Sequence, residues 1–301
     1  MSVILYEIAT QKRTYLDDNA IALDKDFALQ LQQRLCDFHL LSNPDGRWGE
    51  KSAAALAKFK SFRGLKEAGC GNLTASQLIN ITPSGLINGY KLDGSLASRA
   101  LMFFIDRGFK IATNKSECNI FYLEGVNRDG SLNDNNRFVY NDRRCILQFD
   151  NNNGLLTPKL TGNWLATCDP GQYYWDNPLN ENGCANIKKN TQYKAWTTGK
   201  HHDQYALVQA ADITVLRGEK QTAFDGDDFG VNQHSVGKGQ DFSFGEAIGK
   251  WSAGCCVGAN RAEHESFMRQ VDADPREKAN KGNYLHYTAF IKGVSLEATF
   301  P

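Results

Sequence analysis

The sequence predicts an α+β protein, with a small N-terminal helical unit over residues 1–85 followed by a mostly β unit over 86–301. Three observations carry this. Apolar residues recur at spacings of three and four as far as about residue 80, the period of amphipathic helices. Beyond residue 86 short β-type runs alternate with Asn/Asp/Gly clusters, the pattern of a sheet with long connections. The 301-residue length suits two domains at roughly 100–200 residues each.

Leu31, Leu35, Phe38 and Leu41 share one face of a helix predicted over 28–41, with Asp26 as its N-cap. Residues 42–49, Ser-Asn-Pro-Asp-Gly-Arg-Trp-Gly, form a turn. Ala53, Leu56, Phe59 and Phe62 mark a second helix that Gly64 ends, and a short third helix starts at Thr74 and closes by residue 85. Strands are predicted over 119–123, 145–149, 205–209 and 213–216, with helices over 95–108 and 262–271.

Charge and hydropathy exclude several classes. Thirty-four basic residues balance 34 acidic ones, so no net field draws the chain to nucleic acid or to an anionic membrane. No run of Lys and Arg exceeds two residues, as at Arg143-Arg144 and Lys188-Lys189. No stretch of ~18 apolar residues spans a bilayer. The first ten residues, MSVILYEIAT, lack the basic start and ~7–15-residue apolar core of a Sec signal, so synthesis as a soluble chain is expected.

Chemistry concentrates in two segments, Gly230-Val-Asn-Gln-His-Ser-Val-Gly237 and Gly249-Lys-Trp-Ser-Ala-Gly-Cys-Cys-Val-Gly258. A nucleophilic cysteine needs a base, a group that orients the base, and amides for an oxyanion. Small residues around Cys255 let a substrate carbonyl approach the backbone, and His234 stands 21 residues upstream. The competing reading is a packed loop in which Cys255 is a small core residue. Cys256 reads as structural. Adjacent side chains of a strand point apart, so His201-His202-Asp203 reads as a loop beside the site, and no metal or cofactor is expected. His264 and Glu265 read as satisfied or solvated positions on a helix.

The run from Ala28 to Leu41, the Asp45-Gly-Arg-Trp-Gly49 turn and the following Glu50-Lys-Ser-Ala-Ala-Ala-Leu-Ala-Lys-Phe resemble the three-helix peptidoglycan-binding domain. That resemblance implies a fold and, as one of two readings, peptidoglycan as ligand with Trp48 facing it; the other reading is a docking module. The His234 and Ser252-Ala-Gly-Cys255 segments resemble the catalytic motif of L,D-transpeptidases of the YkuD type. Cys256-Val257-Gly258 depart from that family, which places Arg or Asn soon after the cysteine. The resemblance implies Cys255 as nucleophile, His234 as general base and the backbone carbonyl of Ser235 as the group orienting the imidazole. It further implies Ser252 as loop support and the amides of Gly254 and Cys255 as oxyanion donors. Trp196, Tyr174, Trp251 and His202 are the candidate substrate-binding residues, with core packing the alternative for the aromatic ones.

The expectation is a peptidoglycan-modifying cysteine enzyme. Water as acyl acceptor gives L,D-carboxypeptidase or endopeptidase activity, and an amine gives L,D-transpeptidation or exchange. A non-catalytic wall-binding or adaptor protein is the alternative. Without a Sec signal, action in the periplasm of a target cell follows from a contractile secretion system or lysis, making a secretion-system component and a cognate immunity protein expected partners. Cys36 with Cys70, Cys118 with Cys145, and Cys168 with Cys184 are neighbours in sequence, as suits either three disulfides in an oxidising compartment or buried thiols.

Overall fold

The computed structural model describes residues 4–13 and 15–299. The chain divides into two compact units, one comprising Met1–Phe103, Asn151–Pro158 and Ala298–Pro301, the other Phe104–Asp150 and Lys159–Glu297.

In the first unit α1 (Leu5–Ala9), β1 (Tyr15–Leu16) and α2 (Asp18–Leu23) precede α3 (Lys25–Asp37), α4 (Glu50–Arg63), β2 (Cys70–Gly71) and α5 (Asn72–Asn80). The three expected helices correspond to α3, α4 and α5, but the unit is more than a three-helix domain, because α1, α2 and an antiparallel β1–β2 ladder accompany them. Asp24, rather than Asp26, caps α3 by accepting from the Phe27 amide at 3.0 Å. Asp26 lies in the first turn instead, where a negative charge meets the positive end of the helix dipole. Gly64 ends α4 in the left-handed conformation, at φ +65°. Phe27, Leu31, Leu35, Leu56 and Phe59 are buried, as their spacing requires.

The division after Phe103 departs from the boundary expected at residue 85. Arg63 is the reason on one side, donating to Gly85 O at 2.9 Å and to Asn88 Oδ1 at 2.7 Å. On the other, Lys91 N donates to Leu156 O and Leu156 N to Gly89 O, both at 2.9 Å. These bonds fasten 85–91 to the helical unit. Helix α6 (Leu96–Asp106) contains the division.

The rest of the chain runs β3 (Asn119–Glu124), β4 (Asp142–Asn152), β5 (Leu155–Thr167), α7 (Gln172–Asp176), β6 (Ala185–Ile187), β7 (Thr191–His201), β8 (Gln204–Gln209), β9 (Ile213–Arg217) and β10 (Thr222–Gly226). There follow β11 (Gln233–Ser235), β12 (Cys256–Gly258), α8 (Arg261–Ala273), α9 (Pro275–Ala279), β13 (His286–Lys292) and α10 (Gly293–Thr299). Strands β11-β12-β5-β4-β3-β13-β7-β8 close into a barrel, and β10-β9-β6 form a separate sheet. Tyr122 and Phe290 stack in the core at 5.3 Å between centroids, with Trp196 5.7 Å from Phe290. The chain is thus mixed α and β with a large sheet. Among the described residues no helix is long and apolar enough to cross a membrane.

All eight cysteines are free thiols, so the disulfide reading fails and the buried-thiol reading stands for five of the six, Cys36 being half-buried. Each meets its own surroundings rather than its sequence neighbour: Cys118 Sγ faces Gln270 O at 3.4 Å, Cys168 Sγ faces Asp142 Oδ2 at 3.2 Å and Cys184 Sγ faces Ala253 O at 3.4 Å.

Candidate active site

Strand pairing brings together what the sequence separates by 21 residues. Strands β11 and β12 run parallel, with Gln233 opposite Cys256, His234 opposite Val257 and Ser235 opposite Gly258. Cys255 therefore emerges at the start of β12 beside the start of β11. The Asn232 amide lies 3.5 Å from Cys255 Sγ, and Cys256 N donates to Asn232 O at 2.8 Å. Cys255 Sγ and one ring nitrogen from each of His234 and His201 all lie within 4.8 Å of one another.

The tautomer of His234 follows from its partner. Its Nδ1 sits 2.9 Å from Ser235 O, and a carbonyl only accepts, so Nδ1 carries the proton and Nε2 keeps its lone pair. Ser235 is in turn held by Gln204, whose Nε2 donates to Ser235 O at 2.9 Å and whose Oε1 accepts from Ser235 N at 3.1 Å and Ser235 Oγ at 3.0 Å. Behind β11 the buried guanidinium of Arg144 donates to His234 O at 3.3 Å, approaches His264 Nδ1 at 3.2 Å and covers the Phe267 ring at 4.3 Å. Gly258 makes room for it, since a Cβ there would stand 2.5 Å from Arg144 Nη2. His264 also reaches Tyr205 O at 2.8 Å and is a satisfied core histidine, as the sequence suggested.

The loop before Cys255 is built around Ser252. Its Oγ donates to Cys255 O at 2.8 Å and accepts from Gly254 N at 3.1 Å, while its carbonyl accepts from Gly171 N at 2.9 Å. Gly254 has φ +129°, and a Cβ at that position would lie 2.8 Å from Ala185 O, so only glycine fits. The expectation for the Gly254 amide as an oxyanion donor is corrected here, because Ser252 Oγ already takes that N–H. The Cys255 amide has no hydrogen-bond partner among the described residues.

A cleft of about 570 Å³ opens over Cys255 and His234, walled by Tyr174, Trp251, His201 and His202, with Arg217, Lys250 and Asp203 supplying charge. Tyr174, Trp251 and His202 thus stand where a substrate would contact them. Trp196 does not: it is fully buried in the barrel core and donates its indole N–H to Val231 O at 2.8 Å. The aromatic pattern there is core packing. Trp48 is half-buried in the first unit, and Asp18 Oδ1 accepts its indole N–H at 2.9 Å. A depression of about 430 Å³ beside that turn is lined by Gln32, Asp45, Arg47 and Ser52, with Trp48 outside it.

Burial lowers His234 to about 4, with His201 and Arg144 acting in the same direction against the Ser235 hydrogen bond. Burial likewise pushes the Cys255 thiol up to about 11, opposed by the Asn232 amide. The resting pair is therefore thiol and neutral imidazole. Such a pair supports proton transfer concerted with attack rather than a standing thiolate. Sequence reasoning missed Gln204 and Arg144, which no motif flags, and gave Asn232 no role although it lies in the 230–237 segment; the adjacent His201 and His202 were the one visible signal for His201.

No family model matches the chain, and no curated protein is significantly similar to it. Among solved structures, a fused Zn-dependent amidase/peptidase/peptidoglycan-binding domain-containing protein from Clostridium acetobutylicum is 12% identical, with a TM-score of 0.26, over 88% of this chain and 95% of that one. An L,D-transpeptidase from Xylanimonas cellulosilytica is 14% identical, with a TM-score of 0.20, over 87% of this chain and 91% of that one. Likenesses this remote establish neither a shared activity nor a shared substrate.

Proposed function

We propose that this chain is a cysteine acyl transferase or peptidase acting on peptidoglycan stem peptides. The observation that carries the reading is the meeting of Cys255 with His234 in one cleft, with the imidazole proton fixed on Nδ1 by Ser235 O. In the proposed reaction Cys255 Sγ bonds to a stem-peptide carbonyl carbon while its proton passes to His234 Nε2. The C–N bond then breaks, the amine leaves with that proton, and a thioester remains on Cys255. Water or a second amine, deprotonated by His234, releases the acyl group. The peptide substrate is supported by the sequence motif around Cys255, and the first unit is read as the module that engages the wall.

Mass analysis of muropeptides after incubation with sacculi tests this. The wild type is expected to shorten or exchange the terminal D-residue of stem peptides, and Cys255→Ala to leave them unchanged. Released free D-amino acid identifies water as acceptor; a new crosslink or exchanged residue identifies an amine. An unaltered muropeptide profile with the wild type overturns the proposal in favour of a binding module. Because this polymer lies outside the cytoplasmic membrane, the proposal places action in the periplasm, where expression is expected to harm the cell through Cys255.

A further inference from the structure

The oxyanion remains without a complete set of donors, because Ser252 Oγ occupies the Gly254 amide. We propose that His201 fills this place, donating its Nε2–H to the oxyanion that forms when Cys255 attacks an acyl carbon. This rests on Cys255 as the nucleophile and is independent of which acyl donor it meets.

The proton on His201 is assigned by a chain of obligatory roles. The Gln209 backbone N–H can only donate, and it points at Asn232 Oδ1 at 2.9 Å. That fixes the amide of Asn232 so that its Nδ2, a donor, faces His201 Nδ1 at 2.9 Å. His201 Nδ1 must then accept, which leaves the hydrogen on Nε2. His234 carries the opposite tautomer, with Nδ1 protonated. The two rings lie 4.5 Å apart at 38°, so one wall of the cleft carries a base nitrogen and a donor nitrogen side by side. Burial and the neighbouring His202 lower the proton affinity of His201, which keeps it neutral and a single-proton donor at neutral pH.

Distance favours the same role. An oxyanion on a carbon bonded to Sγ needs a donor about 2.7–3.1 Å away, which places that donor roughly 4–5 Å from the sulfur. A His201 ring nitrogen comes within 4.8 Å of Cys255 Sγ, which brings the ring within reach of an oxyanion formed there. The sulfur bonds to carbon, the carbonyl π pair moves to oxygen, and the His201 hydrogen bond shortens without transferring its proton. When the amine leaves, the pair returns to the carbonyl.

Two reactions of the same thiol separate this role from its rivals. Acylation by p-nitrophenyl acetate passes through a tetrahedral oxyanion, whereas alkylation by iodoacetamide does not. With both read by mass at Cys255 in the full-length protein, His201→Phe is expected to slow acylation about 10²-fold and to leave alkylation within about threefold. His201→Gln, which keeps an N–H donor, is expected to recover at least about tenfold of that loss. Equal slowing of both reactions means that His201 acts on the thiol or merely holds the loop, and overturns the proposal, as does unchanged acylation. If His201→Phe opens the site, seen as faster alkylation, the pair His201→Gln and His201→Met decides by the same criterion, and equal acylation rates overturn it. A protein that acylates as expected but leaves sacculi intact would refute the peptidoglycan reading and keep this one.

Discussion

Ser252→Ala isolates what the loop before the nucleophile contributes. Ser252 is fully buried, and its hydroxyl both donates to Cys255 O and accepts from Gly254 N. Alanine removes the hydroxyl that serves both groups and leaves the half-buried Cys255 carbonyl and the buried Gly254 amide without their partner. At about 1–3 kcal/mol for the buried amide and about 1 kcal/mol for the half-buried carbonyl, the loss amounts to about 2–4 kcal/mol. A unit of 150–250 residues shifts about 2–4 °C per kcal/mol, so the melting temperature is expected to fall by at least about 4 °C. Thermal unfolding followed by circular dichroism, with urea titration as a second measure, reads this directly. A melting temperature within about 1 °C of the parent would refute the reasoning, since it would mean that the loop satisfies its own backbone without Ser252.

Two further expectations follow from buried charge. Lys189 Nζ lies 3.3 Å from both Asp169 Oδ1 and Glu124 Oε1 and 3.2 Å from Cys168 O, so Lys189→Met strands carboxylates with no cation. A loss of about 3–5 kcal/mol in urea unfolding is expected, and a loss below about 1 kcal/mol would refute a stabilising buried ion pair here. The second expectation concerns pH. Burial lowers His234 from 6.5 to about 4 and His264 to about 2, and His201 and His286 shift the same way, so the unfolded chain takes up these protons first. Stability is unaffected by these rings above 6.5 and falls as the pH drops below it, toward 4 for His234 and on toward 2 for His264. Asp142, raised by burial and by Asp169 and Glu124 to about 7, has the opposite sign, but one carboxyl stands against four histidines. Urea midpoints measured across this window should fall with acidification; a flat or rising profile would contradict the assigned burial of these rings.

The parts of the fold that were legible are those where one periodicity ran without interruption. Helices α3 and α4 show their buried stripe directly, and Gly64 marks its helix end because the chain there needs a positive φ. Strand β4 was legible only over its apolar part, since Asp142, Arg143 and Arg144 precede that run and read as a surface segment although all three are buried. Strands β5, β7 and β13 carry polar residues among apolar ones, so no uninterrupted apolar run or clean alternation announced them. In the site, Cys255 and His234 were visible as residue types with a known chemical use. Gln204 and Arg144 were not, because their roles arise from backbone carbonyls that only the folded barrel brings to them. Trp196 and Tyr174 looked alike in sequence, yet Trp196 on β7 is buried in the barrel core and Tyr174 on α7 lines the cleft.

The polar residues around β11 bear on specificity more than on bulk stability. A three-residue strand has few ladder bonds to fix its register, and a slip of one residue would turn His234 away from Cys255 and present Gln233 or Ser235 instead. Hydrophobic contact cannot prevent that slip, because Gln233, His234 and Ser235 are all polar and all buried. Hydrogen bonds with defined partners can. Gln233 Nε2 donates to Thr288 Oγ1 at 2.9 Å, Gln204 reads both faces of the Ser235 peptide, and Arg144 holds the His234 carbonyl. A slipped strand would leave these groups unpaired inside the barrel, at about 1–3 kcal/mol for each neutral one. The alignment of base and thiol is thus enforced by the cost of the alternatives, which explains why so many polar side chains are buried behind a cleft whose proposed chemistry uses few of them.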